Sequence, residues 1–459
     1  MTAKTAAGRE HAVVIGASMA GLTAAAALAS AFARVTVLER DTLPARPEHR
    51  RGVPQSRHAH ALQPGGLTAL EQLLPGLVSE LLEAGAPIGD ACGNGCWTVG
   101  GNRFARADAD VSGLGITRPF LEHTVRTRVA ALPGVAFRDG VVVDGLIANG
   151  ASGPGRTAVT GVRLQGPDGE EQLPADLVVD ASGKASRLPA WLEALGGRRP
   201  AEESVQCRMA YVSRRWRLAE AHRPAEIVVV VTPAEQPHFG VLIPQEDGTH
   251  ILTVGGLLNS GPEKTDEAYR SFANSLADGV IGRALVDAEP VTELQTSHFP
   301  ASRRLRYDRL ADFPAGLLAI GDAIASFNPM YGQGMTVAAL EAVALREHLS
   351  RGPLDARAFF KQAHRIEDVA WKVSTGGDLR YPEVVGRRGP DTAIMNRYLD
   401  RLTRGARQDP VLAGQFLRVA GFVDPPTAFF SLSVLLRVLR PRRGRSAPTP
   451  VGTRSEQWA

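Results

Sequence analysis

Residues 12 to 33 carry no charged side chain, and this run constrains the fold more than any other feature of the chain. Such a stretch is long enough to suggest a membrane span or a secretory signal. Its internal order argues otherwise. It opens on the β-branched Val13-Val14-Ile15, breaks at Gly16, Ser18 and Gly21, and closes in an alanine-rich half with no basic leader and no cleavage-like context. Strand, tight turn and buried helix explain all three parts, whereas a bilayer helix explains only the last. Arg34-Val35-Thr36-Val37-Leu38-Glu39 then reads as a second strand. With a strand over 11–16 and a helix over 20–32 it completes a βαβ unit.

The turn of that unit has a chemical use. Gly16 allows a tight backbone, Gly21 lets helix and strand pack closely, and Ser18 stands at the middle position, small enough for close approach. Free N–H groups at the helix start, around Met19 and Ala20, with the helix dipole behind them, suit a pyrophosphate. Glu39, at the end of the second strand and followed by Arg40, suits a ribose diol. This unit alone does not separate NAD from FAD. A second constellation does: Ala319-Ile320-Gly321-Asp322, then Pro329-Met330-Tyr331-Gly332-Gln333-Gly334-Met335. An acid ending a buried strand can bind ribityl hydroxyls. Backbone N–H groups at Gly332 to Met335 can face the electron-rich edge of a flavin ring.

At 459 residues the chain is too long for one ordinary core. The fold class expected is α/β with antiparallel β: a Rossmann-type FAD-binding domain (1–95, 115–195 and 300–370) interleaved with a mixed-sheet substrate domain (96–114 and 196–299). A C-terminal helical region (371–440) and a disordered basic tail (441–459) follow. The runs Ile227 to Val231, Gly240 to Ile243 and Ile251 to Val254 mark the sheet, and Phe239, Leu242 and Ile243 are its candidate pocket residues. Good turn chemistry at Pro167-Asp168-Gly169 predicts a hairpin. Hydrophobic content of 44%, charged content of 22% and a net charge of +4 describe a globular protein with no bias toward nucleic acid or membrane. Three cysteines cannot form a disulfide framework, so a reducing, cytoplasmic setting is expected. Cys92-Gly-Asn-Gly-Cys96 matches no common redox or metal spacing, and His58 and His60 lack a further ligand cluster, so no metal is expected. A hydrogen-bonding role for the two histidines is expected instead.

Gly16 to Gly21, the segment Asp180-Ala181-Ser182-Gly183-Lys184-Ala185-Ser186-Arg187, and Gly321-Asp322 with its Pro329/Gly332/Gly334 turn occur in order. Together they resemble the three fingerprints of class A, single-component FAD-dependent monooxygenases, over roughly the first 370 residues. Arg50-Arg51-Gly52-Val53-Pro54-Gln55-Ser56-Arg57-His58-Ala59-His60-Ala61-Leu62 is similar to the bacterial natural-product branch that contains polyether-biosynthesis epoxidases, as are Asp368 to Trp371 and Asp378 to Pro382. The resemblance implies that Arg50 and Arg118 contact FAD phosphates or ribose and that Val143 lies by the adenine. It also implies that the segment from Asp180 to Arg187, with Ala181 and Gly183, sits where a nicotinamide cofactor meets FAD. The activity implied is transfer of one oxygen atom from O2, through a C4a-hydroperoxyflavin, to an alkene or electron-rich ring. NAD(P)H is the transient reductant, or an external flavin reductase replaces it, since no second G-x-G-x-x-G unit is present. The partner expected is a lipophilic small molecule. Epoxidation needs no side-chain base, so no catalytic residue is named. Two rivals share the frame: a reductase of isoprenoid double bonds and a non-catalytic flavin-binding accessory protein. A halogenase is disfavoured because no Trp-x-Trp-x-Ile-Pro segment occurs.

Overall fold

The computed structural model describes residues 9–149, 157–166, 169–224 and 227–440. The hairpin turn at Pro167-Asp168 and the basic tail 441–459 lie outside the described residues.

The uncharged run folds as a strand, His11–Ile15, and a helix, Met19–Ala29. The helix is buried almost all round, which explains why alanine fills it: it lies between the sheet and the long helix Gly334–Arg351, where larger side chains would hold the layers apart. It ends earlier than expected because Ala31 and Phe32 both turn back onto the Leu28 carbonyl, which brings the chain into the next strand, Arg34–Leu38. Five parallel strands make the sheet, in the order Leu317–Ala319, Leu177–Asp180, His11–Ile15, Arg34–Leu38, Val135–Arg138. Two segments far apart in sequence therefore flank the first strand on one side. Val13 pairs with Val178, and Val178 with Leu317. Their carboxyl ends, Asp180 and Ala319, open at the same edge as Gly16, where ligands of open α/β sheets bind.

The second large sheet has Met209–Arg217, His250–Gly256, His238–Pro244 and Val228–Val231 as an antiparallel centre. Cys96–Val99 joins Val228–Val231 in parallel and Asn102–Arg103 pairs beyond it as the far edge, so a segment from early in the chain completes a sheet built mostly from residues past 200. Helices Asp266–Ser275 and Val280–Ala284 cover one face, where Tyr269 of the first helix packs with Trp216 and Leu242 of the sheet. The opposite face is left for the site. Among the described residues there are three smaller sheets: one pairs Ala158–Gly166 with Gly169–Pro174, the two arms of the expected hairpin, and another pairs Glu202–Gln206 with Ser302–Leu305.

Between 353 and 440 the chain is mostly helical: Ala356–Asp378, Thr392–Ala406, Pro410–Ala420 and Leu432–Leu439, with the short strand Val385–Gly386 among them. The run from Phe429 to Leu439 is not one helix, because extended backbone at Ser431 divides it. Val434 and Val438 pack inward, and Leu432, Leu436 and Leu439 remain exposed. Among the described residues, no helix is long and apolar enough to cross a membrane.

Candidate flavin and substrate site

Gly16 is held at φ +103°, and a Cβ on it would lie 2.7 Å from the Ala181 carbonyl oxygen; a Cβ on Gly21 would overlap the Gly16 carbonyl. Both glycines are therefore required by backbone, not by flexible side chains that could move aside. The helix that follows has Ser18 at its N-cap without a side-chain cap, so its first N–H groups are left for another acceptor.

Behind this turn lies a buried charge cluster. Glu39 accepts from the Ala17 N–H at 2.9 Å and the Asp41 N–H at 3.1 Å, and pairs with Arg50 at 2.9 Å. Arg50 also donates to Glu122 at 2.7 Å and to the Ala17 carbonyl at 3.0 Å. Arg118 donates to Glu122 at 3.1 Å and to the Ser18 hydroxyl at 2.8 Å. Burial pushes the Glu122 carboxyl up, but Arg118 and Arg50 outweigh it and hold it below the ordinary range. Glu39 and Arg50 thus brace the turn from outside the cavity, while Ser18, Met19, Ala20, Arg40 and Arg118 face it. Glu122 was not singled out from sequence, although its position four residues after Arg118 on one helix was a visible pairing.

One cavity of about 1040 Å³ runs from this turn to the helical region. Its middle is lined by Ala181 to Ala185, Asp322 and Pro329 to Met335. Asp180 is fully buried beneath this stretch and accepts from the Ser182 N–H at 3.0 Å and from the Ser182 and Ser186 hydroxyls. Lys184 reaches over the Phe299 ring, its ammonium 4.0 Å from the centroid. Burial lowers its pKa against the opposing pull of Asp322. Burial likewise raises Asp322, although Lys184 and Arg118 favour its charge. Gly321, at φ +64°, donates its N–H to Glu341 at 2.7 Å and is packed away from the cavity. Gly332 takes φ +65° and delivers the chain to the start of Gly334–Arg351, which has no side-chain cap and no acid in its first turn. Gln333 Oε1 and Thr336 Oγ1 are buried there without a partner. A ligand with an electron-rich edge would satisfy the free N–H groups at this helix start, whereas Gln333 Oε1, an acceptor, calls for a donor on the same ligand.

The remaining wall is apolar. Phe239, Val241 and Ile243 face the cavity, joined by Trp97, Tyr211, Phe416 and Phe429. Leu242 corrects the expectation for this strand. It points into the opposite core with Trp216 and Tyr269, because successive strand residues alternate faces, and Val241 takes the cavity position. Val143 is 8% exposed, pairs with Leu164 in a separate sheet, and does not line the cavity.

His58 and His60 both line it. His58 Nδ1 lies 2.8 Å from the Ser213 hydroxyl, which lies 2.6 Å from Thr253, and His60 Nδ1 lies 2.9 Å from the His58 carbonyl. Burial, with Arg57 nearby, lowers His58 to about 4; burial, with Arg118 nearby, lowers His60 to about 3. Both rings are neutral at physiological pH, so they act as hydrogen-bonding walls. Among the described residues no cluster of three or more His, Cys, Asp or Glu could hold a metal. All three cysteines are free thiols.

Residues 9–352 match the family model described as an FAD binding domain, and the chain belongs to that family. It is 36% identical over 452 residues to Protein Rv3254 of Mycobacterium tuberculosis, covering 92% of each chain. It is 27% identical over 352 residues to squalene epoxidase 1 of Arabidopsis thaliana, covering 73% of this chain and 59% of the relative. Two solved structures share the fold at 17% identity. The flavin-dependent brominase Bmp2 has a TM-score of 0.64, covering 90% of this chain and 93% of its own. The p-nitrophenol 4-monooxygenase PnpA of Pseudomonas putida has a TM-score of 0.63, covering 90% and 98%. The expected fold class, an FAD-binding α/β frame joined to mixed and antiparallel sheet, is therefore the observed one.

Proposed function

We propose that this chain is an FAD-dependent monooxygenase that places one oxygen atom from O2 into a lipophilic small molecule, with epoxidation of an alkene as the favoured reaction and hydroxylation as the alternative. The observation that carries the reading is the single cavity joining the Gly16–Gly21 turn, the Asp322–Met335 turn and an apolar wall of sheet and helices. Its volume of about 1040 Å³ stands at the top of the roughly 300–1,000 Å³ range of ligand pockets, and its length from the turn to the helical region suits a dinucleotide with a substrate beyond it. In this reading Ser18, Met19, Ala20, Arg40 and Arg118 face the pyrophosphate and adenosine half. Gly16, Gly21, Glu39 and Arg50 shape that end, and Ala181, Gly183 and Asp322 flank the ribityl chain. Pro329, Gly332, Gly334 and Met335 receive the flavin ring, while Gly321 fixes the approach of its strand. Bound FAD, once reduced, supplies the oxygen-activating chemistry. The chain's own part is to orient the acceptor against Phe239, Val241 and Ile243 and to keep water out. The apolar wall, and a relative named as a squalene epoxidase, support an alkene-bearing polyketide- or terpenoid-like acceptor, as in the natural-product branch. The reductant is NAD(P)H or a separate flavin reductase.

The FAD-loaded protein is expected to consume O2 in step with NADPH oxidation when a suitable alkene is added, and to incorporate label from isotopic O2 into the product. Turnover without oxygen that saturates the alkene would instead make it a reductase. Bromide-dependent product would make it a halogenase. Flavin reoxidation that no lipophilic alkene or aromatic couples to product would leave an accessory role.

A further inference from the structure

The helix Ala356–Asp378 ends in the cavity wall, and its last residue carries a buried carboxyl with no cation bonded to it. Asp378 Oδ1 accepts from Asn328 Nδ2 at 2.9 Å and from the Tyr331 hydroxyl at 3.3 Å. Its Oδ2 is buried with no hydrogen-bond partner. Asn328 also caps the turn by accepting from the Met330 N–H at 3.0 Å. Tyr331 lies so close to Gly377 that a Cβ there would overlap its hydroxyl. The end of one helix is thereby tied to the turn that opens the next, Gly334–Arg351, at the residues assigned above to the flavin ring.

The charged and titratable groups around this carboxyl are few. Tyr331 faces it from the turn and the Cys207 thiol from the neighbouring sheet, and Tyr381 and Arg380 follow it in sequence. Arg380 is engaged with Asp400 at 2.5 Å. Burial, against weaker support from Asn328, Tyr331 and the Cys207 thiol, raises Asp378 to about 7. An ionised carboxylate here would bury a charged oxygen without a partner, whereas protonation leaves a neutral hydroxyl, whose burial costs far less than that of a charge.

We propose that Asp378 positions the Asn328–Gly334 turn in its neutral form and that occupation of the cavity by FAD is coupled to the proton on Oδ2; this rests on the FAD reading above. FAD held by this turn would exclude water from the cavity beside it, which disfavours the carboxylate further, so binding takes up a proton when Asp378 is ionised beforehand.

Asp378→Asn isolates this effect, because the amide oxygen can keep both donors while the NH2 replaces only the unpaired atom. The affinity of the full chain for FAD, measured by fluorescence quenching from pH 5 to 9, is expected to be flat below about 7. Above that it falls with a slope of at most about tenfold per pH unit, one proton per FAD. Asp378→Asn should match the wild type below 7 and stay flat above, and Asp378→Ala should bind weakly throughout. The thermal stability of the FAD-free protein gives a second reading. Because the folded pKa is raised, wild type should lose stability relative to Asp378→Asn from about pH 4 to 7 and run parallel to it above. A wild-type profile that is flat, or that Asp378→Asn reproduces, overturns the proposal while leaving FAD binding intact. An Asn variant crippled below pH 7 overturns it as well. No FAD binding by wild type at any pH overturns the FAD reading and this proposal with it.

Discussion

Gly21→Val will yield a folded protein that purifies without flavin. The added Cβ meets the Gly16 carbonyl, with Val14 Cγ1 at 3.4 Å behind it. The carbonyl is backbone and cannot swing aside, so the turn itself must open. Opening it displaces the N–H groups of Met19 and Ala20 from the cavity edge and separates Gly16 from Ala181, whose carbonyl is already 2.7 Å from where a Gly16 Cβ would stand. A misplaced pyrophosphate cradle loses several oriented hydrogen bonds at once. FAD affinity should fall by about 100-fold, which is ~2.7 kcal/mol. Flavin absorbance near 450 nm per mole of protein, together with a thermal melt, checks both halves of the expectation. Stoichiometric flavin in the valine variant would show that the turn does not hold the cofactor. A chain that no longer melts cooperatively would show that packing, rather than the cradle, was lost first.

The sequence made this turn readable because its constraints are local. Gly16, Gly21 and the β-branched and alanine-rich halves each report a backbone or packing demand within a few residues. The Asp322–Met335 turn was readable for the same reason. What stayed hidden depends on groups distant in sequence. The pairing of Glu122 with Arg118 is local, but its bond to Arg50 appears only once the chain has folded, and Asp378 gains its partners only once Asn328 and Tyr331 close over it. Glu39 has a bracing role that its place at the strand end does not announce: it accepts from the Ala17 and Asp41 N–H groups and pairs with Arg50. Leu242 failed because an apolar run does not reveal which alternate residues face the core. Only the helices Asp266–Ser275 and Val280–Ala284 decide that. Cys96–Val99 could not have been paired with Val228–Val231 by pattern, since register across such a distance in sequence is a tertiary result.

Glu122→Ala is expected to be the most destabilising single change in the flavin half of the molecule. Arg50 would keep Glu39 at 2.9 Å and Asp41 at 3.5 Å, but Arg118 would retain only the Ser18 hydroxyl. Arg118 is 5% exposed, so its charge would be left nearly unpaired in a desolvated site. Breaking such a pair by removing one partner costs about 3–5 kcal/mol. The unfolding entropy of a chain this long, at ~2.1 cal/mol/K per residue, is on the order of 1 kcal/mol/K, so the melting temperature should drop by about 3–5 °C if unfolding is cooperative. Glu122→Gln keeps an acceptor and should lose less. The pH dependence separates charge from shape. The folded pKa of Glu122 is depressed, so its contribution is complete above the unfolded value near 4.5 and disappears as pH falls through the lower folded value. Wild type should therefore converge on both variants in acid and diverge from them toward neutrality. A constant gap across the whole acid range would mean that lost packing, not the pairing with Arg118 and Arg50, sets the cost. Since Arg118 also holds Ser18 at the mouth of the turn, the alanine variant should bind FAD more weakly even at temperatures where it remains folded.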